Sequence, residues 1–304
     1  MSGLIDQAIR QIEGVLKGKV EQIQLALACL IAEGHLLIED LPGMGKTTLA
    51  EAIARISGLS YARVQFTSDM LPADIIGATV FEKESGTFRF HRGPIFTQVL
   101  LADEINRTTP KTQSALLEAM AERQVSVEGE TYPLPESFFV IATQNPSAHF
   151  GTFPLPESQL DRFLLRIEIG YPDHKAERAL LRGEAGREKL QALPVILPAE
   201  KLRQLQLLAR KLTVSEPLLD YVQRLIEYTR DHRGLQYGIS PRGGLALLAA
   251  ARAWAMIQRR EYVVPEDIQA VLVPVFLHRL VHAADSPAEA SAILDRMRQD
   301  VAVS

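Results

Sequence analysis

The run Pro42-Gly43-Met44-Gly45-Lys46-Thr47-Thr48 limits what this chain can fold into more than any other feature. An apolar run at 36–39 precedes it and a helical pattern at 48–57 follows. Glycines, a lysine and two hydroxyl residues between a strand and a helix start are what a phosphate-binding loop requires. Glycine lets the backbone amides curl around an anion, and the helix N-terminus adds partial positive charge. In such a loop Lys46 reaches the β- and γ-phosphates, the Thr47 hydroxyl ligates Mg²⁺, and Thr48 opens the helix against the α-phosphate. The full pattern calls for glycine at position 40, where this chain has Asp40. A carboxylate aimed into the pocket would repel a phosphate. Asp40 is therefore expected to turn away and bond nearby backbone amides.

Three further features bear on the same chemistry. Val99-Leu100-Leu101-Ala102-Asp103-Glu104 reads as a buried strand ending in two carboxylates. Asp103 suits a hard cation, held through its waters, and Glu104 suits orienting or deprotonating an attacking water. Asn145 follows another apolar run, 138–143, and could position that water; its structural alternative is a turn-forming Asn-Pro. Arg162 precedes the apolar run 164–169, and Arg242 falls in the first turn of a helix capped by Ser240. A cation at a helix N-terminus opposes the dipole unless an anion binds there. Considered singly, each arginine is better read as part of an ordinary surface ion pair.

The apolar runs at 36–39, 62–66, 99–103, 138–143 and 164–169 alternate with helical patterns such as 48–57 and 110–123. That alternation predicts an α/β domain with a parallel five-stranded sheet covered on both faces. Residues 124–134 read as a hairpin turning at Gly129, and 81–90 as another turning at Ser85-Gly86. Beyond Tyr171-Pro172 strand signals stop. Ser240-Pro241, Pro265-Glu266-Asp267 and Ser286-Pro287-Ala288-Glu289 all open helices. The expected division is an α/β domain over 1–170 and a helical domain over 171–304.

The remaining signals narrow the class. The net charge of −4 gives no reason to expect nucleic acid as partner. The single cysteine, Cys29, lies in an apolar run and reads as a small core residue. The first residues lack a secretory pattern, and the apolar stretch at 25–38 is too broken to enter a membrane, so a cytoplasmic protein is expected. His278 and His282, four apart on an expected helix, have no third ligand and read as ordinary helix residues.

Taken together these residues resemble the AAA+ ATPases, and specifically the MoxR family. The stretches that carry the likeness are 35–50, VQFTSDMLPADIIG at 64–77, GPIFTQVLLADEIN at 93–106, ATQNP with GTFPLPESQLDRFLLR between 139 and 170, GISPRGG and VVPEDIQAV. The resemblance implies a P-loop AAA+ core with a C-terminal helical lid, binding ATP and Mg²⁺. It implies a homo-oligomeric ring, usually a hexamer, with ATP between subunits. It makes Asn145 the first sensor, Arg242 the second, and Arg162 the finger reaching a neighbour's γ-phosphate, with Arg107 and Arg166 close enough to contest that role. It makes the hairpin near 78–92 an insert in the second helix, and 124–134 the hairpin before the first sensor. It implies a chaperone-like remodeller of partner proteins, often ones with a von Willebrand factor A domain. Two other roles share the inserts: the ATPase subunit of a magnesium chelatase-like complex, and a DNA-dependent motor, which the net charge disfavours. A nucleotide-gated scaffold that barely hydrolyses is disfavoured by Glu104.

Overall fold

The computed structural model describes residues 2–145, 151–183 and 186–303. Its strands in chain order are β1 Leu36–Glu39, β2 Tyr61–Gln65, β3 Gly77–Glu82, β4 Thr87–Arg92, β5 Val99–Asp103, β6 Gln124–Val127, β7 Glu130–Pro133, β8 Phe139–Gln144 and β9 Leu165–Ile167. Five of them form one sheet in the order β2-β5-β8-β1-β9, with every neighbouring pair parallel. Parallel strands need crossovers, and helices supply them.

Strand periodicity explains how the sheet is buried. Leu36, Ile38, Val99, Leu101, Phe139, Ile141, Leu165 and Ile167 face one core. Leu37, Val64, Leu100, Ala102, Val140 and Ala142 face the other. Successive side chains point to opposite faces, so runs that are apolar throughout must be covered twice. Helices Ser2–Val15, Val20–Ile31 and Lys46–Ile56 cover the first face, together with helices of the C-terminal part. Helix Pro110–Glu122 and the segment 155–163 cover the second. The apolar run at 164–169 yields only Leu165–Ile167 as strand, because this edge has only Leu36, Leu37 and Ile38 to pair with.

His35 locks the entry to β1. Its Nδ1 accepts the Val140 N–H at 3.0 Å and its Nε2 donates to the Met120 carbonyl at 3.3 Å. Burial drives its pKa down to about 4, so the ring is neutral at physiological pH. Cys29 is fully buried among apolar residues, and burial raises its thiol pKa.

The two hairpins stand apart from the sheet. The first is longer than the run 81–90 suggested, because Gly77 and Gly93 let the backbones close its base. A Cβ at Gly77 would lie 2.2 Å from the His91 carbonyl oxygen, and φ there is +99°. The second hairpin, β6–β7, leans on the first through Phe90 and Tyr132, stacked with centroids 4.2 Å apart.

The C-terminal part is helical, and the cap signals mark its helix starts. Ser240 Oγ accepts the Gly243 N–H, and Ser286 Oγ accepts the Glu289 N–H. Asp267 accepts the N–H of Val264, opening helix Pro265–Leu280. That helix ends at Leu280, so His282 lies in the turn beyond it rather than on it. His278 is buried with Nε2 3.0 Å from the Phe163 carbonyl oxygen. Gln206, on helix Ala199–Lys211, donates to the Leu30 carbonyl at 3.0 Å and ties the C-terminal part to helix Val20–Ile31. No described helix is long and apolar enough to cross a membrane.

Candidate nucleotide site

Ligands of open parallel sheets bind beyond the carboxyl ends of the strands. There β1 runs into the loop 40–45, and helix Lys46–Ile56 begins at Gly45. Gly43 and Gly45 have φ of 84° and 92°, a left-handed backbone that side-chain residues resist. A Cβ on Gly45 would also come within 2.7 Å of Leu16 Cδ1. Pro42 and Gly43 are exposed, Met44 packs against the core, and Thr47 and Thr48 sit half-buried in the first helical turn.

The buried Lys46 ammonium donates to the backbone carbonyls of Asp40 at 2.6 Å and Leu41 at 3.3 Å. Burial lowers its pKa, opposed by the carboxylates of Asp40, Asp103 and Glu104. Asp40 turns its carboxylate onto backbone amides, Leu41 N–H at 2.8 Å and Gly170 N–H at 2.6 Å. The second bond joins the loop to the chain entering the C-terminal helices. Lys19 Nζ adds a bond to the Tyr171 carbonyl beside it, at 2.7 Å.

The two acids at the end of β5 are held differently. Asp103 Oδ1 accepts the Thr143 hydroxyl at 2.6 Å, and Oδ2 accepts Arg63 Nη2 at 2.7 Å. Glu104 adopts φ 57°, and its N–H donates to Thr143 Oγ1 at 2.8 Å. Its carboxylate accepts Gln65 Nε2 and Arg107 Nη1, both at 3.0 Å. Arg63, Gln65 and Thr143 were not singled out from sequence. A signal for them exists: the strands turn polar at their carboxyl ends, at Gln65, Asp103 and Thr143.

A cavity of about 530 Å³ opens beside the loop, walled by Thr47, Thr48 and Arg63 and, from the C-terminal part, by Leu180 and Arg187. The Tyr61 hydroxyl is buried without a partner on its wall, and burial pushes its pKa up to about 12.

Comparison with known proteins matches this arrangement to a family. The family model described as "ATPase family associated with various cellular activities (AAA)" matches residues 35–165, and an AAA lid domain matches 227–297. Chaperone MoxR1 of Mycobacterium tuberculosis is 39% identical, over 98% of this chain and 82% of that one. The chain belongs to the MoxR family of AAA+ ATPases. YeaC of Bacillus subtilis is 42% identical, over 91% of this chain and 87% of its own. A crystal structure from Cytophaga hutchinsonii superposes with a TM-score of 0.89 at 34% identity, covering 100% of this chain and 96% of that one.

Of the residues that MoxR resemblance marks as sensors and finger, Asn145 lies at the carboxyl end of the sheet, whereas Arg162, and the Asp161 that faces Arg242, precede β9 at its amino end. Asn145 directly follows β8, and Pro146 beside it lies outside the described residues. Arg242 is more than half exposed, with Nε 3.9 Å from Asp161 Oδ2. Asp161 also accepts the buried Arg279 at 2.7 Å, and Arg279 donates on to the Phe163 carbonyl at 2.8 Å. Arg162, next in sequence, donates to the Leu117 carbonyl at 2.7 Å. Its rivals are committed elsewhere: Arg166 to Glu39 and Glu168, and Arg107 to Glu104.

Proposed function

We propose that this protein is a Mg²⁺-dependent ATPase that works as a homo-oligomeric ring, a hexamer, in the cytoplasm. Hydrolysis drives remodelling or activation of partner proteins, among them proteins with a von Willebrand factor A domain. One observation carries the catalytic part: the glycine loop with Lys46 after β1 and the acids Asp103 and Glu104 after β5 lie at the same carboxyl end of the parallel sheet, beside a cavity that Thr47 and Thr48 line. The name Chaperone MoxR1 of the mycobacterial relative supports the client role.

The residues present fit ATP and Mg²⁺. The position a Cβ would take at Gly43 has nothing within 4 Å, leaving room over the loop amides. Tyr61 offers an unpaired hydroxyl on the cavity wall. Thr47 and Asp103 are oxygen donors of the kind a hard cation takes. Held by them, Mg²⁺ supplies neutralisation of the phosphate charge.

In this reading Pro42 to Thr48 cradle the phosphates, and Lys46 exchanges the carbonyls of Asp40 and Leu41 for phosphate oxygens. Glu104 takes the proton of the attacking water, which Asn145 positions. Arg242, as the second sensor, leaves Asp161 for a γ-phosphate. Arg162 serves the neighbour's γ-phosphate. Residues 1–170 form the nucleotide-binding α/β domain and 171–304 the helical lid.

The test is ATP turnover measured alone, with a purified von Willebrand factor A-domain protein, and with duplex DNA. Mg²⁺-dependent turnover raised by the protein and unchanged by DNA is the expected result. Stimulation by DNA that falls steeply with salt would make it a DNA motor instead.

A further inference from the structure

A carboxylate buried like that of Asp103, 7% exposed, requires compensating charge. Arg63 supplies it from the adjacent strand. β2 and β5 pair in parallel with Gln65 opposite Asp103, so Arg63 sits two residues back and its long side chain runs toward the carboxyl end. There Nη2 reaches Asp103 Oδ2 at 2.7 Å while the side chain stays 47% exposed. The same nitrogen lies 3.3 Å from Gln65 Oε1, and Gln65 Nε2 bonds Glu104 in turn. Arg63 also walls the cavity that Thr47 and Thr48 line. A guanidinium therefore stands on the one carboxylate expected to hold the metal.

We propose that Arg63 competes with Mg²⁺ for Asp103, keeping the metal out until nucleotide arrives and reclaiming the carboxylate as the product metal leaves. This rests on the reading of Asp103 as the metal-holding carboxylate. The guanidinium stays charged at any working pH, so it cannot relieve repulsion from a dication by losing a proton. It must move, and its half-exposed head on a flexible stem allows that. Phosphate oxygens bring the negative charge that lets Lys46, Arg63 and a dication share the site. Metal binding is thereby tied to nucleotide binding.

The test uses Mn²⁺ as probe, read by electron paramagnetic resonance on nucleotide-free protein. Bonds to charged groups are strong enough that removing the competitor tightens Mn²⁺ binding about tenfold. Arg63→Gln should show that gain, Arg63→Lys a smaller one, and adding Asp103→Asn to Arg63→Gln should abolish it. Fluorescent ADP should leave Arg63→Gln more slowly than the parent in Mg²⁺, and at the parent rate in EDTA. Unchanged or weaker Mn²⁺ binding in Arg63→Gln overturns the proposal. So does weaker ADP binding in EDTA, which would make Arg63 a phosphate ligand. If Asp103→Asn alone leaves Mn²⁺ binding with ATP unchanged, the metal reading of Asp103 falls too, whereas the first two results remove only the role of Arg63.

Discussion

Glu104→Gln is expected to slow ATP hydrolysis by about 10²–10⁴-fold while ATP still binds, because a positioned general base contributes that much. The substitution changes little else. Glutamine keeps an oxygen for the two donors that hold the side chain, Gln65 Nε2 and Arg107 Nη1. The backbone at φ 57° stays anchored through the Glu104 N–H on Thr143. What glutamine lacks is the ability to take a proton. Turnover and fluorescent-nucleotide binding, measured together, separate the two effects. Turnover within a few-fold of the parent would move the base elsewhere; loss of ATP binding would give Glu104 a structural role.

Arg162→Ala is expected to lower turnover by on the order of 10³–10⁵, the contribution of a trans-acting arginine. ATP binding should survive, since the side chain bonds only the Leu117 carbonyl of its own chain among the contacts described. Arg166 lies largely buried between Glu39 and Glu168, and moving it would break both ion pairs. Arg107 already bonds the carboxylate of Glu104. Mixing Arg162→Ala subunits with Lys46→Ala subunits decides the matter. One parent supplies an intact phosphate loop and the other an intact finger, so some interfaces of a mixed ring are complete. Regained turnover is the expected result. No regain, with mixed rings shown to form, would contradict action in trans.

How much was legible in the sequence follows from how far apart the cooperating residues lie. The phosphate loop and the pair Asp103-Glu104 are local, a strand end followed at once by its chemistry, and both stand out by pattern. The central strands β1, β5 and β8 were legible because each is apolar on both faces, as double coverage demands, while the edge strands β2 and β9 carry Arg63, Gln65 and Arg166 among their apolar residues. The helix starts at Ser240 and Ser286 were legible because a cap is a short-range bond. Arg63 and Thr143 were not, because each meets Asp103 only across a strand pairing some 40 positions away in sequence. Asp40 shows both sides. That its carboxylate must avoid the phosphates followed from charge alone. That it would clasp Gly170, at the far edge of the sheet, needed the position of β9 beside β1.

The central claim is a shared active site in an ATP-hydrolysing ring. ATP turnover against protein concentration tests it most directly, with the molecular mass of the apo and ATP-bound forms read in parallel. The account predicts specific activity that rises with concentration alongside a shift to a ring-sized particle. Activity from a stable monomer, independent of concentration, would contradict it.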